Sequence, residues 1–143
     1  MATMVSDRSL DQVSADELSR QFNRTFETLQ AGDDLFTEEA LFDLNMPTWR
    51  FQLLGPAAFS MQLQSINRGP SHVNIVRTVP THTGFVTEHV EHQDVDGQDI
   101  CARRLWLCAV EGGRISHVIG YCTGGWDDAL RARHAREAPM IRP

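Results

Sequence analysis

The second half of the chain constrains the fold most. His72–Val79, Thr83–Gln93, Asp99–Val110 and Arg114–Trp126 are four runs rich in β-branched and aromatic residues, a composition suited to a pleated, half-buried surface. Asp96-Gly97 and Gly112-Gly113 separate the last three runs, and such pairs supply the positive φ that tight hairpins need. This half is therefore expected to be an antiparallel meander. A meander of this kind has a face to bury, and the first half must cover it.

The cover is helical by its spacing. Leu18, Phe22, Phe26 and Leu29 recur at i, i+4, i+8 and i+11, one stripe of an α-helix. Ser14 followed by Glu17 reads as a capping box, and Gly32 as the stop. A short helical turn is expected over Phe36–Ala40, capped by Thr37. Leu41–Leu54 reads as extended and interrupted by Pro47. Gly55-Pro56 opens a second helix with Phe59, Leu63 and Ile66 as its apolar stripe. Asn67–Ser71 is a turn, and Asp127 caps a last helix that ends near Glu137, before Pro139. Helices ahead of long hairpins imply an α+β fold, with the helices on one side of an antiparallel sheet.

The 143 residues contain no repeat, low-complexity tract or linker, so residues 1–143 read as one domain. Residues 1–13 are expected to be flexible, and 127–143 to form the last helix and a tail. A chain of this size buries roughly two thirds of the surface its unfolded form exposes, enough to fold without a metal or disulfide.

Composition removes several functions. All 13 basic residues are arginine, so chemistry that needs a lysine amine, such as a Schiff base or a phosphate-loop lysine, is unavailable. A net charge of −6 argues against nucleic acid, whose binding needs a basic footprint, and against an anionic membrane surface. No segment has the ~18 uninterrupted apolar residues of a membrane span. Met1–Leu18 is polar, unlike a signal peptide. Cys101, Cys108 and Cys122 are odd in number and sit within apolar runs, as buried free thiols do. A cytoplasmic setting is expected.

The densest chemical pattern is Thr87-Glu88-His89-Val90-Glu91-His92. Alternation puts Thr87, His89 and Glu91 on one face, and Glu88, Val90 and His92 on the other. A carboxylate beside an imidazole raises the imidazole pKa and fixes its tautomer, which readies a general base. The same pattern also suits a solvated strand face. His92 points away from the other two, so this strand cannot give one metal ion all three ligands, and neither metal nor organic cofactor is expected. Asp43 and Asn45 share a face of the earlier extended segment. Arg50 and His117 carry weaker signals, and Arg131, Arg133 and Arg136 read as a solvated helix face. One of Arg103 and Arg104 must face inward if their strand is central, and an inward arginine needs an acid; Glu91 and Asp43 are the available partners.

The order of elements, with Asp43-Leu44-Asn45-Met46-Pro47 ahead of Gly55, resembles the NTF2-like superfamily over roughly Ala15–Leu130, and within it the SnoaL-like and limonene-epoxide-hydrolase-like branches. The resemblance implies a conical curved sheet covered by helices around one pocket, and pairing into a homodimer through the open sheet face. Asn45-Met46-Pro47 is similar to the hydrolase strand that carries a water-positioning asparagine, and Thr87–Glu91 to the strand that presents an arginine and an aspartate. Here those two positions are His89 and Glu91, while the hydrolase's second catalytic aspartate falls at about Gly120, before Tyr121. The implied function is cofactor-independent acid–base chemistry on an apolar, oxygen-bearing small molecule: dehydration, isomerisation or cyclisation. His89 would be the base or acid, Glu91 its orienting partner and Asp43 a second acid or base. Asn45, Arg103 and Tyr121 would supply polar contacts, and Trp49, Phe59, Leu63, Phe85 and Trp106 an apolar wall. The alternatives are an epoxide hydrolase with an altered triad and a non-catalytic binding or assembly module.

Overall fold

The computed structural model describes residues 9–142. Its elements run α1 (Gln12–Thr28), β1 (Phe36–Met46), β2 (Trp49–Leu54), α2 (Pro56–Ile66), β3 (Ser71–Pro80), β4 (Gly84–Val95), β5 (Gln98–Glu111), β6 (Arg114–Cys122) and α3 (Asp128–Glu137). The strands form one curved, unclosed sheet in the order β2-β1-β6-β5-β4-β3. The β3–β6 meander is antiparallel, as its turns require. β1 instead joins β6 in parallel, so the sheet is mixed. A short hairpin cannot make that pair, and the chain between β1 and β6 supplies the connection.

Several local expectations are corrected. Most of the segment 1–13 lies outside the described residues, but Gln12 and Val13 are already helical. Asp11 rather than Ser14 caps α1, its carboxylate accepting from the Ser14 N–H at 2.7 Å. The helix ends at Leu29, which adopts the left-handed conformation (φ 61°), three residues before Gly32. Phe36–Ala40 is the start of β1, not a helical turn: Phe36 and Ala40 are buried in the sheet's core, and tertiary pairing overrides local propensity there. Pro47 and Thr48 form the tight turn between β1 and β2, with Thr48 at φ 62°. The run expected to continue to Trp126 ends as a strand at Cys122, and Trp126 forms an isolated bridge to Cys101. Asp127 caps α3 as its sequence implied.

The inner face of the sheet is built in tiers set by strand register. Phe42, Val118, Cys108 and Phe85 lie across four neighbouring strands and close the narrow end. The next row is Leu44, Gly120, Trp106 and Thr87, followed by Cys122, Arg104 and His89. Phe22 and Phe26 of α1 and Phe59 of α2 pack onto these rows, with the Phe42 and Phe59 rings stacked at 4.3 Å. Each such side chain contributes about 1.5–3 kcal/mol of apolar burial. Among the described residues no helix is long and apolar enough to cross a membrane.

Trp106 and Gly120 are matched partners. A Cβ added at Gly120 would stand 2.2 Å from Trp106 Cζ3, and the indole is only 2% exposed. Gly120→Ala should therefore cost about 1–3 kcal/mol by overpacking. Trp106→Leu in the same chain should recover part of that loss, as urea denaturation of the single and double variants would measure.

Candidate functional site

A cavity of about 310 Å³ opens above the Trp106 row, between α2 and the curved sheet. Its walls are mainly apolar: Phe26, Leu44, Phe59, Leu63, Ile100 and Trp106. The mouth carries Asn67, Arg68, Ser71 and Gln93. Besides the exposed Arg68, two ionisable groups line it, Glu91 from β4 and Arg104 from β5. Arg104 Nη1 donates to Glu91 Oε1 at 2.9 Å, and each side chain is 14% exposed.

Register explains the pair. Arg104 sits opposite His89 on β4 and Cys122 on β6, while Ala102 sits opposite Glu91. Alanine leaves room for the long arginine side chain to lean along the ladder to the carboxylate. Arg104 Nη1 also donates to His89 Nε2 at 3.3 Å, and Arg104 Nε to Cys122 Sγ at 3.3 Å. Burial opposes the guanidinium charge, but Glu91 and Cys122 more than offset it and hold its pKa above the usual value.

His89 lies behind the pocket wall rather than in it. The ring is fully buried, edge-on to Phe26 at 4.9 Å. Its Nδ1 meets Asn23 Oδ1 at 2.7 Å and its Nε2 meets Arg104, so both nitrogens are occupied. Burial, followed by the nearby Arg104 charge, lowers its pKa to about 3. The expected pairing of His89 with Glu91 is thus corrected. Arg104 stands between them, and the imidazole is held neutral instead of being made more basic.

The other expected polar residues are not brought to the cavity. Phe42, Leu44 and Met46 take the inner face of β1, which turns Asp43 and Asn45 to the outer one. There Arg50 Nε and Nη2 donate to Asp43 at 2.8 and 2.6 Å. These bonds hold the Asp43 carboxyl below the usual range. Asn45 Nδ2 donates to the Gly120 carbonyl. Tyr121 is 52% exposed on the same outer side, and Trp49, opposite Met46 at the tip of the β1–β2 hairpin, is 72% exposed and does not line the cavity. Arg103 is exposed, and Arg104 is the inward member of the two. Phe59, Leu63 and Trp106 line the cavity, whereas Phe85 is buried at the closed end. Among the described residues no group of three or more His, Cys, Asp and Glu side chains could hold a metal ion.

Sequence reasoning missed Ser19 and Asn23 of α1, both buried. Their signal was present: two polar residues four apart, interleaved with Phe22 and Phe26 on the covered stripe. Asn23 Nδ2 donates to the Ser19 carbonyl at 2.8 Å and to Thr87 Oγ1 at 3.2 Å. Ser19 Oγ donates to Thr87 Oγ1 at 2.9 Å. This network ties α1 to β4 beneath the charged row.

No protein-family model and no curated protein sequence matches the chain. Solved structures do match. An NTF2-like protein of Anabaena variabilis superposes with a TM-score of 0.66 at 18% identity, covering 87% of this chain and 96% of its own. This chain has the NTF2-like fold. An epoxide hydrolase of M. tuberculosis, similar to limonene epoxide hydrolase, gives 0.62 at 15% identity, with 90% of this chain and 98% of that one covered. A proposed polyketide cyclase of Xanthomonas campestris gives 0.59 at 23% identity, with 77% and 90% covered. About Gly120, where the resemblance leads one to expect a second acid, the sequence has none, and Trp106 fills the space beside Gly120.

The buried imidazole predicts acid lability with a definite sign. Below the ordinary histidine pKa near 6.5 the unfolded chain binds a proton that the folded His89 refuses until about pH 3. Stability present at neutral pH is therefore lost between these values, by on the order of 5 kcal/mol. His89→Gln should flatten the dependence of unfolding free energy on pH between 6.5 and 4, as denaturant titrations at stepped pH would measure.

Proposed function

We propose that the chain is a cofactor-independent enzyme that moves a proton beside the carbonyl of an apolar small molecule, with Glu91 as the base and Arg104 as the group that takes up the developing charge. One observation carries this reading: a carboxylate and a guanidinium 2.9 Å apart in a mainly apolar cavity. When the carboxylate removes the proton, negative charge passes from Glu91 to the substrate oxygen, while Arg104 stays between them. The guanidinium thus pairs with whichever partner is anionic, and the net charge of the pocket does not change. Such preorganised stabilisation in a site with little water is worth more than in bulk solvent. Isomerisation, dehydration and cyclisation can all begin with this step, in accord with the notion of a cyclase among the fold's neighbours.

Epoxide opening in the manner of the hydrolase calls for a second acid across the pocket. Glu91 is the one acid among the residues lining the cavity, so the geometry favours the carbonyl reading. A second copy of the chain covers the outer sheet face in this proposal, because Leu105, Leu107 and Tyr121 stand 38–52% exposed there.

β-Tetralone, an apolar ketone with acidic α-protons, is a suitable probe. The chain should accelerate exchange of those protons in heavy water, followed by proton NMR. Glu91→Gln should lower that rate about 10²–10⁴-fold, and Arg104→Gln about 10²–10³-fold, with circular dichroism unchanged. Exchange by Glu91→Gln at the parent rate would overturn the assignment of the base. Binding without any exchange would support the module reading instead.

A further inference from the structure

The donors and acceptors around His89 fix its tautomer. The Ser19 carbonyl can only accept, so the Asn23 atom 2.8 Å from it is the amide nitrogen. The other Asn23 atom, facing His89 Nδ1 at 2.7 Å, is therefore the oxygen. An amide oxygen cannot donate, so Nδ1 carries the hydrogen. A guanidinium has only donors, so Nε2, 3.3 Å from Arg104 Nη1, presents its lone pair. Two neighbours without ambiguity thus fix one neutral tautomer.

Resting on the reading of Arg104 given above, we propose that His89 is a positioning residue: a neutral imidazole whose Nε2 lone pair aims the Arg104 guanidinium at Glu91 and the ligand, with Asn23 selecting the tautomer. The groups facing the ring from each element agree with this role. α1 offers Asn23, which is uncharged, with Ser19 bonded to it. β5 offers Arg104 and the indole of Trp106, the latter with its ring centroid 5.9 Å away. Glu91 of β4 and Cys122 of β6 bond to the same guanidinium. Protonated Nε2 would set N–H against N–H and cation beside cation, and would turn Arg104 away. An aspartate at position 23 would favour that imidazolium, so the amide matters as much as the ring.

The test uses the full chain with ¹⁵N-labelled histidine and arginine. Multiple-bond ¹H–¹⁵N spectra should show His89 protonated at Nδ1 and bare at Nε2, unchanged from pH 8 to pH 5. Arg104 should show separate Nη signals, the mark of a guanidinium that does not rotate freely, and His89→Ala should average them. In β-tetralone exchange, His89→Ala should lower kcat about 100-fold with a smaller change in KM, as a misplaced group does. His89→Gln, which can return an acceptor oxygen near the Nε2 position, should recover at least about tenfold of that loss. Asn23→Asp should give a doubly protonated ring and the low kcat of His89→Ala. A ring that titrates near its ordinary value, an Nε2–H tautomer, or Nη signals indifferent to His89→Ala would overturn the proposal. If the parent chain shows the expected spectra but exchanges no β-tetralone, the enzymatic reading fails while the placement of Arg104 by His89 stands.

Discussion

A guanidinium inside an apolar cavity is the constraint on which the rest of this site depends. Leaving such a charge without partners costs several kcal/mol, and every neighbour of Arg104 is shaped by that cost. Glu91 supplies the opposite charge, and Cys122 and His89 accept the remaining bonds that are formed. Ala102, opposite Glu91, is small enough to let the side chain lean across. The neutrality of His89 follows, since a second cation within 3.3 Å would undo the arrangement. The amide of Asn23 follows in turn, because it supports a neutral ring where a carboxylate would charge it.

The row beneath decides how deep the cavity reaches. Trp106 lies over the bare backbone of Gly120, with Phe22 and Phe26 at 5.3 and 5.1 Å. A larger residue at 120 would displace the indole, and a smaller one at 106 would lengthen the pocket toward Cys108 and Phe85. The pocket sets one carboxylate against one inward guanidinium within mainly apolar walls, a set suited to moving a proton and holding the resulting charge.

Much of the fold was legible because its signals are local. The stripe of Leu18, Phe22 and Phe26, the turn pairs Asp96-Gly97 and Gly112-Gly113, and the cap at Asp127 each act within a few residues. The failures were also physical in origin. Phe36–Ala40 has no strong strand signal of its own, and becomes extended through the burial of Phe36 and Ala40 and the pairing of Phe36 with Ile115 of β6. Asp11 outcompetes Ser14 as a cap because its carboxylate reaches the Ser14 N–H directly. In the site, alternation grouped His89 with Glu91 and Asp43 with Asn45, but only Glu91 of the four lines the cavity. Phe42, Leu44 and Met46 claim the inner face of β1, and their apolar bodies leave the alternate residues no choice but the outer one.

By itself, the sequence determined the main helices and the meander strands, their order, the absence of lysine chemistry and which residues share a strand face, because each of these is set by composition or by neighbours two to four positions away. Only the tertiary structure decided that Arg104 rather than Arg103 turns inward, that it comes between His89 and Glu91, and that Asn23 reaches the imidazole from α1. Those contacts join residues 13 to 66 positions apart, and their geometry depends on strand register and sheet curvature, which no local pattern encodes.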